Sequence, residues 1–197
     1  MELSFSATVL ITRDHPLPRW PTAIPPQLLG ERVGLFFAGA GTRSALTLPE
    51  PPPPWSHAPR VVCARAYQDC HGVPPAPPLE AAGLAALGGM IRASRCVLCL
   101  PLVCLSLVEA APGPKDIAIR VLDPPASPAT LEALRLAVGL AGCGHRVTVY
   151  LKTAPPGNHW LAVLPPAAAP FLELFDPLGI SVAQDPPGDR HGVILQP

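Results

Sequence analysis

The sequence predicts an α/β protein: a mostly parallel sheet flanked by helices. Three observations predict it. Short apolar runs recur with few charges on either face, as in strands buried on both sides. They alternate with helix-patterned segments and short Gly-Pro loops, the mark of βα units. The order of elements begins again near residues 110–115, which predicts two tandem units, 1–112 and 113–197.

In the first unit, Ser6 to Thr12 is a β-rich run. His15 to Gly30 holds five prolines, so any helix there is short or missing. Arg32 to Ala38 is the second strand, and a small-residue turn, Gly39 to Gly41, follows it. Val61-Val62-Cys63 is the third, ending at a cysteine and running into a loop with Arg65, Cys70 and His71. Pro78 to Ala93 has a helical pattern, and Cys96 to Leu100 is the fourth strand.

The second unit opens with a strand at Asp116 to Leu122. Ser127 caps the next helix, with Pro128 at its first position. That helix, Pro128 to Ala141, carries Leu131, Leu134, Ala137, Val138 and Ala141 at helical spacing, a core-facing stripe. Gly142 and Gly144 stop it. A strand at His145 to Leu151, a helix at Phe171 to Leu178 and strands at Ile180 to Val182 and Gly192 to Leu195 complete the set.

Composition narrows the function classes. Of 197 residues, 49% are apolar and 14% charged, too hydrophobic for a disordered chain. Thirty prolines fall in clusters such as Pro51 to Pro54, and so mark stiff loops. Acidic and basic residues balance at 14 each, with no basic block, so the footprint of a nucleic-acid binder is missing. A near-neutral surface favours association, and an oligomer is expected. Glu2 stands where a signal peptide carries positive charge. The longest apolar stretch, Cys96 to Val108, is too short for a bilayer and contains Pro101. The expectation is a cytoplasmic protein, without membrane or cofactor, whose six cysteines are mostly reduced.

Chemistry centres on Cys63. Ligands gather where strands end and helices begin, and a thiol there can become the reactive thiolate. Burial as a small hydrophobe is the competing reading. Groups that could favour the thiolate are the amino end of the helix near Leu79, Arg65 and His71. Arg65 fits a solvated loop charge better, and His71 stays undecided. Cys70 is either a second relay thiol or a loop thiol of no consequence.

Cys96-Val97-Leu98-Cys99 spells C-x-x-C, but a strand puts the two thiols on opposite faces, so core packing is the better reading. Cys104 and Cys143 also fit packing. Zinc held by Cys63, Cys70, His71 and Cys96 or Cys99 lacks the paired short spacings of structural sites, and no metal is expected. Gly39 to Ser44 offers backbone N–H groups to an anion, although a simple turn is preferred. His159-Trp160 fits loop packing or an interface.

These residues resemble a known family. The strand ending in Cys63, the loop closing on Gly72-Val73, the helix core Gly83-Leu84-Ala85-Ala86-Leu87 and the strand Cys96-Val97-Leu98 are similar to the DsrE/TusD branch of the DsrEFH-type sulfur-relay proteins. Phe36-Phe37-Ala38-Gly39 is similar to the family's second strand. Asp116-Ile117-Ala118-Ile119, Ala133 to Ala137 and Gly144 to Leu151 extend the resemblance to the second half. Two departures stand out: a longer loop after Cys63 that carries Cys70, and the proline-broken segment after the first strand.

The resemblance implies two tandem DsrE-like, flavodoxin-like units. It implies a sulfurtransferase in which Cys63 accepts sulfane sulfur as a persulfide, for tRNA thiolation or sulfur oxidation. It implies a small sulfur-carrier partner of the TusA type and association with related DsrE-like subunits. The matching place in the second half, near Val182-Ala183-Gln184, has no cysteine. The rival is a non-catalytic subunit or scaffold.

Overall fold

Apolar pentapeptides set the first sheet of the computed structural model. The structure describes residues 7–14, 32–47, 58–100, 104–107, 113–151, 164–183 and 193–195. Strands β1 (Ala7–Ile11) and β2 (Val33–Phe37) are buried at every position. Strand β3 (Arg60–Cys63) is buried beyond Arg60, while β4 (Glu80–Ala82) is largely exposed. Strand β5 (Cys96–Leu100) is buried throughout, and β6 (Cys104–Leu107) follows it.

The sheet order is β4-β3-β2-β1-β5-β6. The first five strands are parallel, and β6 turns back antiparallel along β5. The chain walks outward from β1 to β4, then crosses to lay β5 on the other side of β1. That reversal makes a topological switch point between β1 and β5, where α/β sheets open a crevice at the strand ends. The order differs from the 2-1-3-4-5 of flavodoxin-like sheets.

One face of the sheet packs Ala7, Val9, Ile11, Leu35, Phe37, Val62 and Leu98 with Tyr67. Alternation along each strand sends Leu10, Phe36 and Cys63 to the other face. Buried hydroxyls are satisfied: Thr8 Oγ1 lies 2.7 Å from Ser94 Oγ, which also donates to the Met90 carbonyl. A 3₁₀ turn, Gly39–Arg43, runs into the short helix α1 (Ser44–Thr47). Helices α2 (Ala64–His71) and α3 (Leu84–Ala93) follow β3 and β4.

Contacts divide the chain into two units, Met1–Gly113 and Pro114–Pro197. The second has its own parallel sheet, ordered β10-β7-β8-β9. Its strands are β7 (Asp116–Val121), β8 (Arg146–Leu151), β9 (Ser181–Ala183) and β10 (Val193–Leu195). Helix α4 (Pro128–Gly142) packs on β7 and β8. Ser127 caps it by accepting the Thr130 N–H at 3.1 Å, with Pro128 in the first turn. The buried stripe is Thr130, Ala133, Leu134, Leu136, Ala137, Leu140 and Ala141; Leu131 and Val138 are half-buried at its rim. The Lys115 N–H donates to His145 Nδ1 at 3.1 Å, tying the start of β7 to the loop before β8.

Several expectations are corrected. Residues 64–71 are a helix, not a loop, with an i,i+4 Arg65–Asp69 pair and Gly72 as a left-handed cap at φ 72°. Pro78 to Ala93 is not one helix. Glu80–Ala82 pairs in parallel with Val61–Cys63, and Gly83 in extended conformation starts α3. The open edge of β3 supplies backbone partners that outweigh the helix propensity of Leu-Glu-Ala-Ala. The run after Leu100 returns as β6, a strand the sequence reading did not assign. The expected helix at Phe171 to Leu178 is a 3₁₀ turn, Pro166–Ala168, and the short helix α5 (Ala169–Leu172), then turns to Gly179. His15 to Gly30 lies outside the described residues.

A Cβ at Gly41 would sit 2.3 Å from the Ile11 carbonyl oxygen. Gly41→Ala is therefore expected to cost roughly 3 kcal/mol by forcing the turn off the end of β1. Exposed Gly89, in α3, meets nothing within 4 Å. Gly89→Ala should stabilise by about 0.5–1 kcal/mol through lower unfolded-state entropy. Ser127→Ala should cost about 1 kcal/mol. Denaturant melts of the three variants check signs and sizes.

Candidate functional site

Hydrogen bonds tie the carboxyl ends of β1, β2 and β5 together. Strand β1 ends against its neighbours: the Ile11 carbonyl accepts the Ala38 N–H at 2.8 Å, and the Thr12 N–H donates to the Leu100 carbonyl at 3.3 Å. Thr12 Oγ1 donates to that same carbonyl at 3.2 Å. The Gly41 N–H reaches the carbonyls of both Thr12 and Ala38 at 3.0 Å. Ser44 Oγ donates to Asp14 Oδ1 at 2.9 Å, joining the β1 and β2 loops.

Cys63 is the last residue of β3 and the N-cap of α2, with φ −63° and ψ 109°. The sequence places it at a strand end, and the structure adds that a helix begins there. The helix nearest in sequence to the thiol is thus its own successor, not one near Leu79. Leu79 is instead a buried residue ahead of β4. Cys63 is buried, with 2% of its surface exposed.

The other candidates do not converge on it. Cys70 lies seven residues along α2, about 10 Å in helical rise. Its Sγ donates to the Gly39 carbonyl at 3.6 Å. A helical spacer thus stands between the two thiols, where a loop could have folded Cys70 back. His71 Nε2 lies 3.3 Å from the Thr42 carbonyl, and its ring stacks on Tyr67 with centroids 4.2 Å apart. Tyr67 belongs to the Val62 face of the sheet, whereas alternation puts Cys63 on the opposite face. Arg65 pairs with Asp69 at 3.1 Å and its side chain is 77% exposed, a solvated surface pair worth a few tenths of a kcal/mol.

Cys70 and His71 therefore fasten the far end of α2 to the Gly39–Arg43 turn. Thr42 Oγ1 also donates to the Gly39 carbonyl, at 2.9 Å. The Gly41 N–H is committed to the Thr12 and Ala38 carbonyls and the Ser44 N–H to the Gly41 and Thr42 carbonyls, which favours the simple turn over an anion cradle. Tyr67, Asp14 and Ser44 were not singled out from sequence. The signal for Tyr67 was present: Tyr67 and His71 stand at helical i,i+4 spacing ahead of Gly72.

Cys96 lies in the apolar cluster with Leu98 and Leu100, and Cys99 does not, so the C-x-x-C thiols occupy opposite faces. Among the described residues, no group of three or more His, Cys, Asp or Glu side chains could hold a metal ion. No described helix is long and apolar enough to cross a membrane. His159-Trp160 and Gln184 lie outside the described residues. No family model, curated protein or solved structure matches the chain.

Burial pushes the Cys96 thiol up from about 9 to about 11. The unfolded chain then loses that proton first. This contribution to stability is complete below about pH 9 and falls as pH rises towards 11. Two pH units correspond to about 2–3 kcal/mol. Cys96→Ala should flatten the loss relative to the parent chain, as read by denaturant melts between pH 8 and 11. In the folded parent, iodoacetamide at pH 8 should leave Cys96 unlabelled until denaturant is added.

Proposed function

We propose that this chain is a sulfur-relay protein of the DsrE/TusD kind, with Cys63 as its persulfide carrier. The supporting observation is the position of Cys63, at once the carboxyl end of a parallel strand and the residue that opens a helix. Helix amino ends favour negative charge, and relay chemistry runs through thiolates. The Cys63 thiolate attacks the outer sulfur of a donor persulfide. A new S–S bond forms as the donor's S–S bond breaks, and the donor leaves as a thiolate. An acceptor thiolate repeats the exchange and restores Cys63.

The strand orders support reading the chain as two tandem DsrE-like units. In each sheet the strands run outward from the first, four in one sheet and three in the other, and a later strand returns beside the first: β4-β3-β2-β1-β5 and β9-β8-β7-β10. On this reading β9 stands where β3 does, and Val182-Ala183 takes the place of the cysteine. The first unit carries the sulfur, and the second supports assembly with related subunits. A small TusA-type carrier protein is the partner, and the cytoplasm the setting.

A second reading rests on the burial of Cys63. A sealed thiol suits a non-catalytic DsrE-like subunit that holds active partners. Thiol chemistry separates the two. Polysulfide treatment of the full chain should add sulfur masses to the Cys63 peptide, lost in Cys63→Ser and kept in Cys70→Ser. Cys63 should also alkylate within minutes at neutral pH. Modification at other cysteines only, with Cys63 unreactive until denaturation, would overturn the carrier reading in favour of the subunit.

A further inference from the structure

We propose that Cys99 and Cys104 are an oxidation site, a thiol pair that closes to a disulfide across the edge hairpin of the first sheet. The antiparallel register of β5 and β6 sets Cys99 directly opposite Cys104. Directly opposed residues in an antiparallel ladder have α-carbons about 4.5 or 5.5 Å apart. Both spacings fall within the range of roughly 4.4–6.8 Å that a disulfide spans.

The pairing is selective. Cys96 lies in the apolar cluster on the opposite face of β5 from Cys99. Cys63 ends β3, three strand spacings from β5 in the sheet order, or about 14 Å. Cys99 is a buried thiol in the reduced chain. Strand β6 is the edge strand, so reagent access requires opening of one hairpin and leaves the parallel strands paired.

The oxidant is a low-molecular-weight disulfide such as oxidised glutathione. One thiolate of the pair attacks it, forms a mixed disulfide and expels one glutathione thiolate. The second cysteine thiolate attacks the protein sulfur of that mixed disulfide and expels the other. The cysteine pair loses two electrons and two protons, and two molecules of reduced glutathione leave.

The test uses the full chain treated with oxidised glutathione, then unfolded, alkylated and mapped without reduction. The tryptic peptide Cys96–Lys115 holds three cysteines, so chymotryptic cleavage at both Leu98 and Leu102, which puts each cysteine on its own peptide, assigns the bond. The expected product lacks two hydrogen masses, links Cys99 to Cys104 and leaves Cys96 alkylated. Dithiothreitol should reverse it. Cys99→Ser and Cys104→Ser should each abolish it, and Cys63→Ser should not. The peptide map of the parent chain needs no variant to fold. A bond through Cys96, glutathione retained on either cysteine of the pair, or no mass loss would overturn the proposal.

Discussion

The carboxyl end of β1 is the constraint on which the first unit depends. This strand lies between β2 and β5, and every residue in it is buried. A buried backbone must find partners for all its polar groups. The Ile11 carbonyl takes the Ala38 N–H, the Thr12 N–H goes to Leu100, and the Thr12 carbonyl takes the Gly41 N–H. The turn after β2 and the end of β5 are thereby tied to one strand end. The approach is close enough that position 41 has no room for a methyl group.

From that knot the candidate site follows. The Gly39–Arg43 turn is held at the strand end, and α2 is fastened to the turn through Cys70 and His71. The amino end of α2 is fixed by β3, because Cys63 belongs to both elements. Helix α2 is therefore anchored at both ends, and Cys63 and Cys70 are held apart. Bringing those two thiols together would require α2 itself to unwind.

Much of this was legible in the sequence, and the failures share a physical cause. The five-residue buried strands were legible because few polar groups interrupt them; Cys96–Leu100 appears in the structure with the expected bounds. Helix α4 was legible from Ser127-Pro128 and its apolar spacing. Segments whose state depends on a distant partner were not. Leu79-Glu80-Ala81-Ala82 has helical propensity, and only the vacant edge of β3 makes it a strand. Ala64–His71 carries few apolar residues, so its helical signal lay in Arg65, Asp69 and Gly72, which also suit a loop. At the site, the place of Cys63 along the strand was legible. Its burial stayed one of two open readings, because burial is decided by what packs over it rather than by its own neighbours.

The three residues of β4 carry a consequence for solubility. The sheet beside them is almost wholly apolar, and an open edge on such a sheet is a template for strand addition by another chain. Glu80 stands exposed on that edge, in a strand too short to offer a long ladder. A carboxylate there must be stripped of water before a second chain can zip alongside. Glu80, on the shortest described strand of this unit, thus works against strand addition at that edge.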